Sequence, residues 1–234
     1  MKLFKTFRQT MIKEGNLKKY LLYAIGEILL VMIGISLAFQ LDNWNENRIK
    51  DNAEIVYYEN IRVQLADDKE LIMHLKDDFN NVNMAQSKYA NEIIETNNRN
   101  KLDTLGLIIR NMTQYSDFDR QGNIYETMVN SGEIKLLRNR DIVKGIRKLE
   151  EKYLYINRME NIHYDAVMLH GVQAINLVVK FSTGKIQKPE LIFNYGFQNF
   201  ISEVIQIMEE KDKVYNEALN EIENITNIIN LELE

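Results

Sequence analysis

Tyr20 to Leu41 reads YLLYAIGEILLVMIGISLAFQL, a run in which Glu27 is the only charged side chain. As a helix it measures roughly 33 Å, at about 1.5 Å per residue, against a bilayer hydrocarbon core of about 30 Å. The run is therefore long enough to cross a membrane, and the rest of the chain is read relative to one. It does not look like a signal peptide. A signal h-region is about 7 to 15 residues and ends at small residues, whereas this run continues through Phe39 and Leu41 into Asp42-Asn43-Trp44. Lys2, Lys5, Arg8, Lys13, Lys18 and Lys19 precede it, and Arg48 and Lys50 are the cations that follow closely. The positive-inside rule then puts the N-terminus in the cytoplasm and the remainder outside. The expected layout is a basic cytoplasmic segment over 1–19, a transmembrane helix over 20–41 and an extracytoplasmic helical domain over 42–234. Trp44 is placed as an interfacial anchor, with Tyr20 and Tyr23 at the other boundary.

Of 234 residues, only Pro189 is a proline, and glycines are few. Nothing punctuates the chain often enough for a sandwich or barrel, so an all-α protein is expected: a transmembrane helix followed by a bundle of long helices. The net charge of −5 understates the acidity of the soluble part, because the first 19 residues are basic. That argues against a nucleic-acid partner. Without cysteine there are no disulfides, thiolate nucleophiles or thiolate zinc sites.

Residues 3 to 14 put Leu3, Phe4, Phe7 and Met11 on one helical face and cations elsewhere, the pattern of a helix lying in an anionic lipid surface; a short tail of chance amphipathicity is the alternative. Gly15 and Asn16 break that pattern. Beyond the span, Tyr58, Leu65, Ile72, Phe79 and Ile93 recur at heptad spacing, with Ile61, Leu75, Val82 and Tyr89 beside them. This predicts a long helix over about Ala53 to Thr96, ending at Asn97 to Asn100. The Asn-rich segment Asn43 to Asn47 either continues the span into it or opens a turn. Two short helices are expected, Leu102 to Met112 and Ile124 to Asn130, with a polar loop over Tyr115 to Gly122 between them. Gly132 is suited to the left-handed position after the second. Asn139 caps a second long helix over about Asp141 to Phe181, whose seam holds Ile146, Tyr153, Val167, Ala174 and Phe181 with Leu149, Ile156 and Leu177. Ser182 to Tyr195 reads as a loop or short extended pieces. A final helix, about Gln198 to Asn230, repeats Ile201, Met208, Tyr215, Ile222 and Ile229 every seven residues. Three long and two short helices, each apolar on one side, bury those sides in a bundle within one chain, or alternatively in an intermolecular coiled coil.

Two constellations carry polar groups where apolar ones belong. Tyr23, Glu27, Leu30, Gly34 and Ala38 fall within about 80° on a helical wheel. Gly34 and Ala38 permit close backbone approach, and Glu27 would then face a partner helix, through self-association or an envelope protein. Other readings are that Glu27 reaches headgroups or water near Lys19, or that it serves an ion-relay accessory subunit. In the second long helix the seam contains Glu160, His163 and His170. Glu160 and His163 have the Glu-x-x-His spacing of carboxylate-bridged metal bundles, and the comparable place on another helix is Glu70 with His74, at a four-residue spacing, near Asp68. A solvated face and a buried polar layer, in which Asp68 meets His163 or His170 and fixes helix register, are the milder readings. No catalytic constellation and no cofactor is indicated: Gly-x-Ser-x-Gly and phosphate-loop patterns are missing. Asn111-Met112-Thr113 and Asn224-Ile225-Thr226 match a glycosylation acceptor pattern, incidental in a bacterial protein.

Lys19 to Arg48, KYLLYAIGEILLVMIGISLAFQLDNWNENR, resembles the opening of an uncharacterised family of bacterial single-pass membrane proteins, catalogued as a domain of unknown function. Tyr23-Ala24-Ile25-Gly26-Glu27 and Asn43-Trp44-Asn45-Glu46 carry the resemblance together. Tyr125 to Ile142, YETMVNSGEIKLLRNRDI, echoes a second segment of that family, with Leu137 in place of the usual isoleucine. The resemblance implies an inner-membrane anchor with a helical extracytoplasmic domain and transfers no activity. The expected function is a non-enzymatic interaction or scaffold protein of the cell envelope. A periplasmic ligand or metal sensor built on Glu160 and His163 is the alternative, and the ion-relay accessory role through Glu27 comes third.

Overall fold

The structure is a computed structural model that describes residues 17–120 and 122–234. The expected surface helix over residues 3 to 14, the break at Gly15 and Asn16, and the side chain of Tyr20 lie outside the described residues. Helix α1 is Leu17–Met73. A π segment, His74–Asn81, follows, then α2, Val82–Glu95. Short helices α3, Leu102–Asn111, and α4, Ile124–Ser131, come next. Helix α5, Arg140–Asp165, leads into a second π segment, Ala166–Gly171, and α6, Val172–Val178. A two-residue antiparallel hairpin pairs β1, Val179–Lys180, with β2, Lys185–Ile186. The one-turn α7, Pro189–Ile192, precedes α8, Tyr195–Leu233. The all-α expectation holds: among the described residues two of the three long helices are interrupted by π segments, and the one-turn α7 adds to the two expected short helices. Asn43 to Asn47 is helical and opens no turn. The second long helix ends at Val178 and not at Phe181, because Val179 and Lys180 enter the hairpin.

The chain divides into a first unit ending at Glu54 and a second unit, Ile55–Glu234. In the first, the apolar side chains from Leu21 to Leu41 stand exposed; Leu30 and Phe39, for example, are 73% and 68% accessible. The helix is long and apolar enough to cross a membrane.

The caps of the second unit follow their sequence. The Asn139 side chain accepts hydrogen bonds from the N–H groups of Asp141 and Ile142, satisfying free donors in the first turn of α5. Gly132 ends α4 with φ +76°, a left-handed conformation that glycine enters without strain. The hairpin packs on α3 where two glycines meet: a Cβ on Gly106 would stand 2.1 Å from the Gly184 carbonyl oxygen.

Two cores form. The first joins Tyr58, Leu65 and Ile72 of α1 to Leu149, Tyr153 and Ile156 of α5 and to Ala218, Ile222 and Ile229 of α8. The second joins Ala90 and Ile94 of α2, Leu105 and Ile109 of α3, Ile175 and Val178 of α6, and Phe200, Ile201 and Val204 of α8. Helix α8 holds one heptad seam throughout: Ile201, Met208, Tyr215, Ile222 and Ile229 are all buried. The other two long helices do not. From the end of the first π segment the buried positions are Asn80, Ser87, Ala90 and Ile94, with Ile93 of the original series still buried beside them, while Val82 and Tyr89 are exposed. Past the second they are Gly171, Ile175 and Val178, while Leu177 and Phe181 are exposed and Ala174 is only half-buried. Both shifts are by one residue. A π segment adds one residue to a helical turn, so each rotates the following stripe by about 100° and moves the inner seam one position on.

Deleting Asp78 should turn the first π segment into α-helix while keeping Ile72 and Ser87 facing inward, and the protein should still melt cooperatively. Deleting Lys69 instead turns Ile72 and Leu75 out of the core, where each large side chain withdrawn costs about 2–5 kcal/mol. Thermal melting of the full chain in detergent should show the second deletion lowering Tm by about 10 °C or more beyond the first. Equal losses would contradict the register account.

Candidate functional site

Between the two cores, where the π segments lie, the buried residues turn polar. Glu160 and His163 come from α5, Lys211 and Tyr215 from α8, Asn80 from the first π segment, and Ser116 from the chain between α3 and α4. Glu160 and Lys211 are 4% and 1% exposed, and His163 is fully buried. The Lys211 ammonium donates to Glu160 Oε2 at 2.7 Å and to Ser116 Oγ at 2.6 Å, and lies 3.5 Å from His163 Nδ1. Ser116 Oγ donates to the same Glu160 oxygen at 2.7 Å. Tyr215 OH donates to the other, Oε1. Asn80 Nδ2 donates to the Met208 carbonyl at 2.8 Å, fastening the first π segment to α8.

Every strong donor and acceptor at the ion pair is engaged within the layer, as burial of charge requires. Burial pulls the Lys211 ammonium below its ordinary pKa, and the Glu160 carboxylate opposes that shift. Burial, the Glu160 charge and the hydrogen bond to it push the Tyr215 phenol up, so it stays a donor. His163 is held neutral, its pKa pulled from 6.5 down to about 3 by burial and by the Lys211 charge. An ammonium donating toward Nδ1 leaves the ring proton on Nε2, which has no hydrogen-bond partner among the described residues.

The expected polar residues do not all meet. Glu160 and His163 share the layer. His170 is exposed, with Nδ1 3.0 Å from Glu203 Oε2, because the second π segment turns it off the seam. Asp68, 3% exposed, is in a separate network: Tyr153 OH donates to its Oδ2 at 2.8 Å, and Arg120 stacks over the Tyr153 ring at 4.5 Å. Burial raises the Asp68 pKa, with the Tyr153 hydrogen bond opposing. The layer is thus built without Asp68 or His170. Among the described residues, no group of three or more His, Asp or Glu side chains is arranged to hold a metal ion, and beside Glu160 an ammonium takes the place a cation would need. Lys211 was missed, although Val204, Lys211, Ala218 and Ile225 form a second seven-residue series in α8 and all four are buried.

In the first unit, Tyr23 and Glu27 are half-buried, while Leu30, Gly34 and Ala38 are exposed; a Cβ on Gly34 would meet nothing within 4 Å. Trp44 is 63% exposed, with the Arg48 guanidinium 5.4 Å from its ring centre.

The buried imidazole makes the fold acid-labile. An unfolded His163 takes up a proton below its ordinary value of 6.5, but the folded one stays neutral to about 3. In that window the unfolded state binds more protons, so stability falls as pH drops through it, by up to about 1.4 kcal/mol per pH unit for one site. Denaturant unfolding at about pH 7 and about pH 4 should show His163→Gln losing less stability than the parent protein over the interval. Equal loss in the two proteins would contradict a neutral buried His163.

No curated protein and no solved structure matches the chain. A family profile does match, over residues 27–211, a stretch that includes Glu27, Trp44, Glu160 and Lys211. On that match the chain belongs to DUF6090, a family of unknown function.

Proposed function

We propose that this chain is a membrane-anchored, non-enzymatic interaction protein of the bacterial cell envelope. In this reading the N-terminus is cytoplasmic, the span covers residues 20–41 and the helical unit stands in the periplasm. The observation that carries the reading is the exposed apolar face of α1 from Leu21 to Leu41, a surface stable in lipid and costly in water. The cations before the span and Trp44 after it support the orientation. Partners are the bilayer and an envelope protein, or a second copy docking through Tyr23, Glu27, Leu30, Gly34 and Ala38.

The interior of the helical unit favours docking over catalysis. Its carboxylate, amine and phenol at Glu160, Lys211 and Tyr215 are committed to one another and closed to solvent. A general acid or base needs reach to a substrate. A buried ion pair locks helices in register, which suits a rigid platform.

An export-dependent reporter fused after Glu234 should be active in cells, and a cytoplasm-dependent reporter at the same point should be silent. Crosslinking in intact cells should recover one envelope protein with the parent chain and not with a chain whose span is replaced by a soluble leader. Activity of the cytoplasmic reporter alone would overturn the orientation. Recovery of no protein, or of the same set without the span, would overturn the interaction reading.

A further inference from the structure

Residues 115–120, Tyr-Ser-Asp-Phe-Asp-Arg, form a strap with no helical or strand pairing, laid lengthwise along α5. The Tyr115 ring meets Tyr164 edge to face at 4.9 Å. Ser116 reaches Glu160. The Phe118 ring lies 5.2 Å from Tyr153, and Arg120 donates to both oxygens of Glu150, at 2.8 and 2.6 Å. The strap positions ascend while their partners 164, 160, 153 and 150 descend, so strap and helix run antiparallel. The lengths agree: five extended steps cover about 17 Å, and fourteen helical ones about 21 Å. Burial alternates along the strap, with Ser116 and Phe118 buried and Tyr115, Asp117 and Asp119 exposed, as for an extended segment seated in a groove. Among the described residues no main-chain to main-chain hydrogen bond holds 115–120. Among the described residues its fastenings are side-chain contacts. Next to Arg120 the fit leaves a cavity of about 20 Å³ lined by Gln64, Asp68, Glu150 and Tyr153 among others, room for one water.

We infer that the strap is a displaceable occupant of a peptide-binding groove on α5, and that the groove accepts in its place an extended segment of a partner protein. The strap shows the chemistry the groove selects: an aromatic ring for the Phe118 seat on Tyr153 and, two residues on, a cation for the carboxylates of Glu150 and Asp68. The ring and carboxylate that receive Phe118 and Arg120 belong to helices, so the site is closed by its own chain. The inference rests on the interaction reading above and names its site.

The test uses the full chain in detergent micelles and, as probe, a fluorescent peptide of sequence Thr113 to Arg120. Hydrogen exchange should show the amides of 115–120 opening at least about tenfold faster than those of α8 around Tyr215. The peptide should bind a Phe118→Ala, Arg120→Ala double variant at least about tenfold more tightly than the parent, and adding Glu150→Gln should remove most of that gain. Two results overturn the inference: strap amides that exchange only with global unfolding, or equal peptide binding to the parent and to a double variant that retains the parent's helical signal. If the double variant loses its fold, exchange in the parent protein decides alone. Failure here leaves membrane attachment and crosslinked partners untouched, whereas failure of the interaction reading removes those partners and leaves peptide binding intact.

Discussion

The ion pair between Glu160 and Lys211 is the interaction on which the helical unit depends. Two charges withdrawn from water cost several kcal/mol each before any attraction is counted, and their attraction offsets this only with good geometry and with the remaining lone pairs and protons satisfied. Tyr215 and Ser116 supply that satisfaction. Because the charged partners come from α5 and α8, these two helices have one acceptable alignment. A slip of one turn would leave a lone charge among Met159, Ala166 and Ile207. The layer is therefore a register lock, and the two π segments are its counterpart in the backbone. They lie beside it on the two helices that cannot hold a single seam, while α8, which contributes Lys211, keeps its heptad from Ile201 to Ile229.

This interior supports the proposed platform role. The acid, amine, phenol and imidazole that could do proton chemistry are spent on holding three elements together. In the proposed reading, function belongs to surfaces: the apolar face of α1 in the first unit, and the groove along α5 in the second. The strap links the two themes within the helical unit, because Ser116 reaches the buried layer and Arg120 closes the groove at Glu150.

Much of this was legible in the residues. The heptad series of α8 is fully buried, and Asn139 and Gly132 sit at the helix ends their chemistry suits. The seams of α1 and α5 hold as far as Leu75 and Val167 and then slip by one. A constant repeat cannot register an inserted residue, so it places Val82, Tyr89 and Leu177 inward and leaves Asn80, Ser87 and Ile175 outside its series. The same slip turned His170 to solvent and separated it from His163. Asp68 does occupy a seam, but its partner is the Tyr153 phenol, a group that carries no metal-ligand or ion-pair signature in the sequence. Lys211 was visible as the charged member of an otherwise apolar series in α8. The strap was read as a polar loop because Asp117, Asp119 and Arg120 dominate its composition, yet Ser116 and Phe118 already alternate with them as an extended segment's inner residues do.

The central claim is that Glu160 and Lys211 stabilise the fold as a coupled pair. A double-mutant cycle with Glu160→Gln and Lys211→Met, followed by denaturant unfolding of the full chain, measures it most directly. Each single variant is expected to lose about 3–5 kcal/mol, since it leaves a buried charge without its partner, and the double variant should lose less than the sum by at least about 1.5 kcal/mol. Additive losses would contradict the account and leave the register of the bundle without its lock.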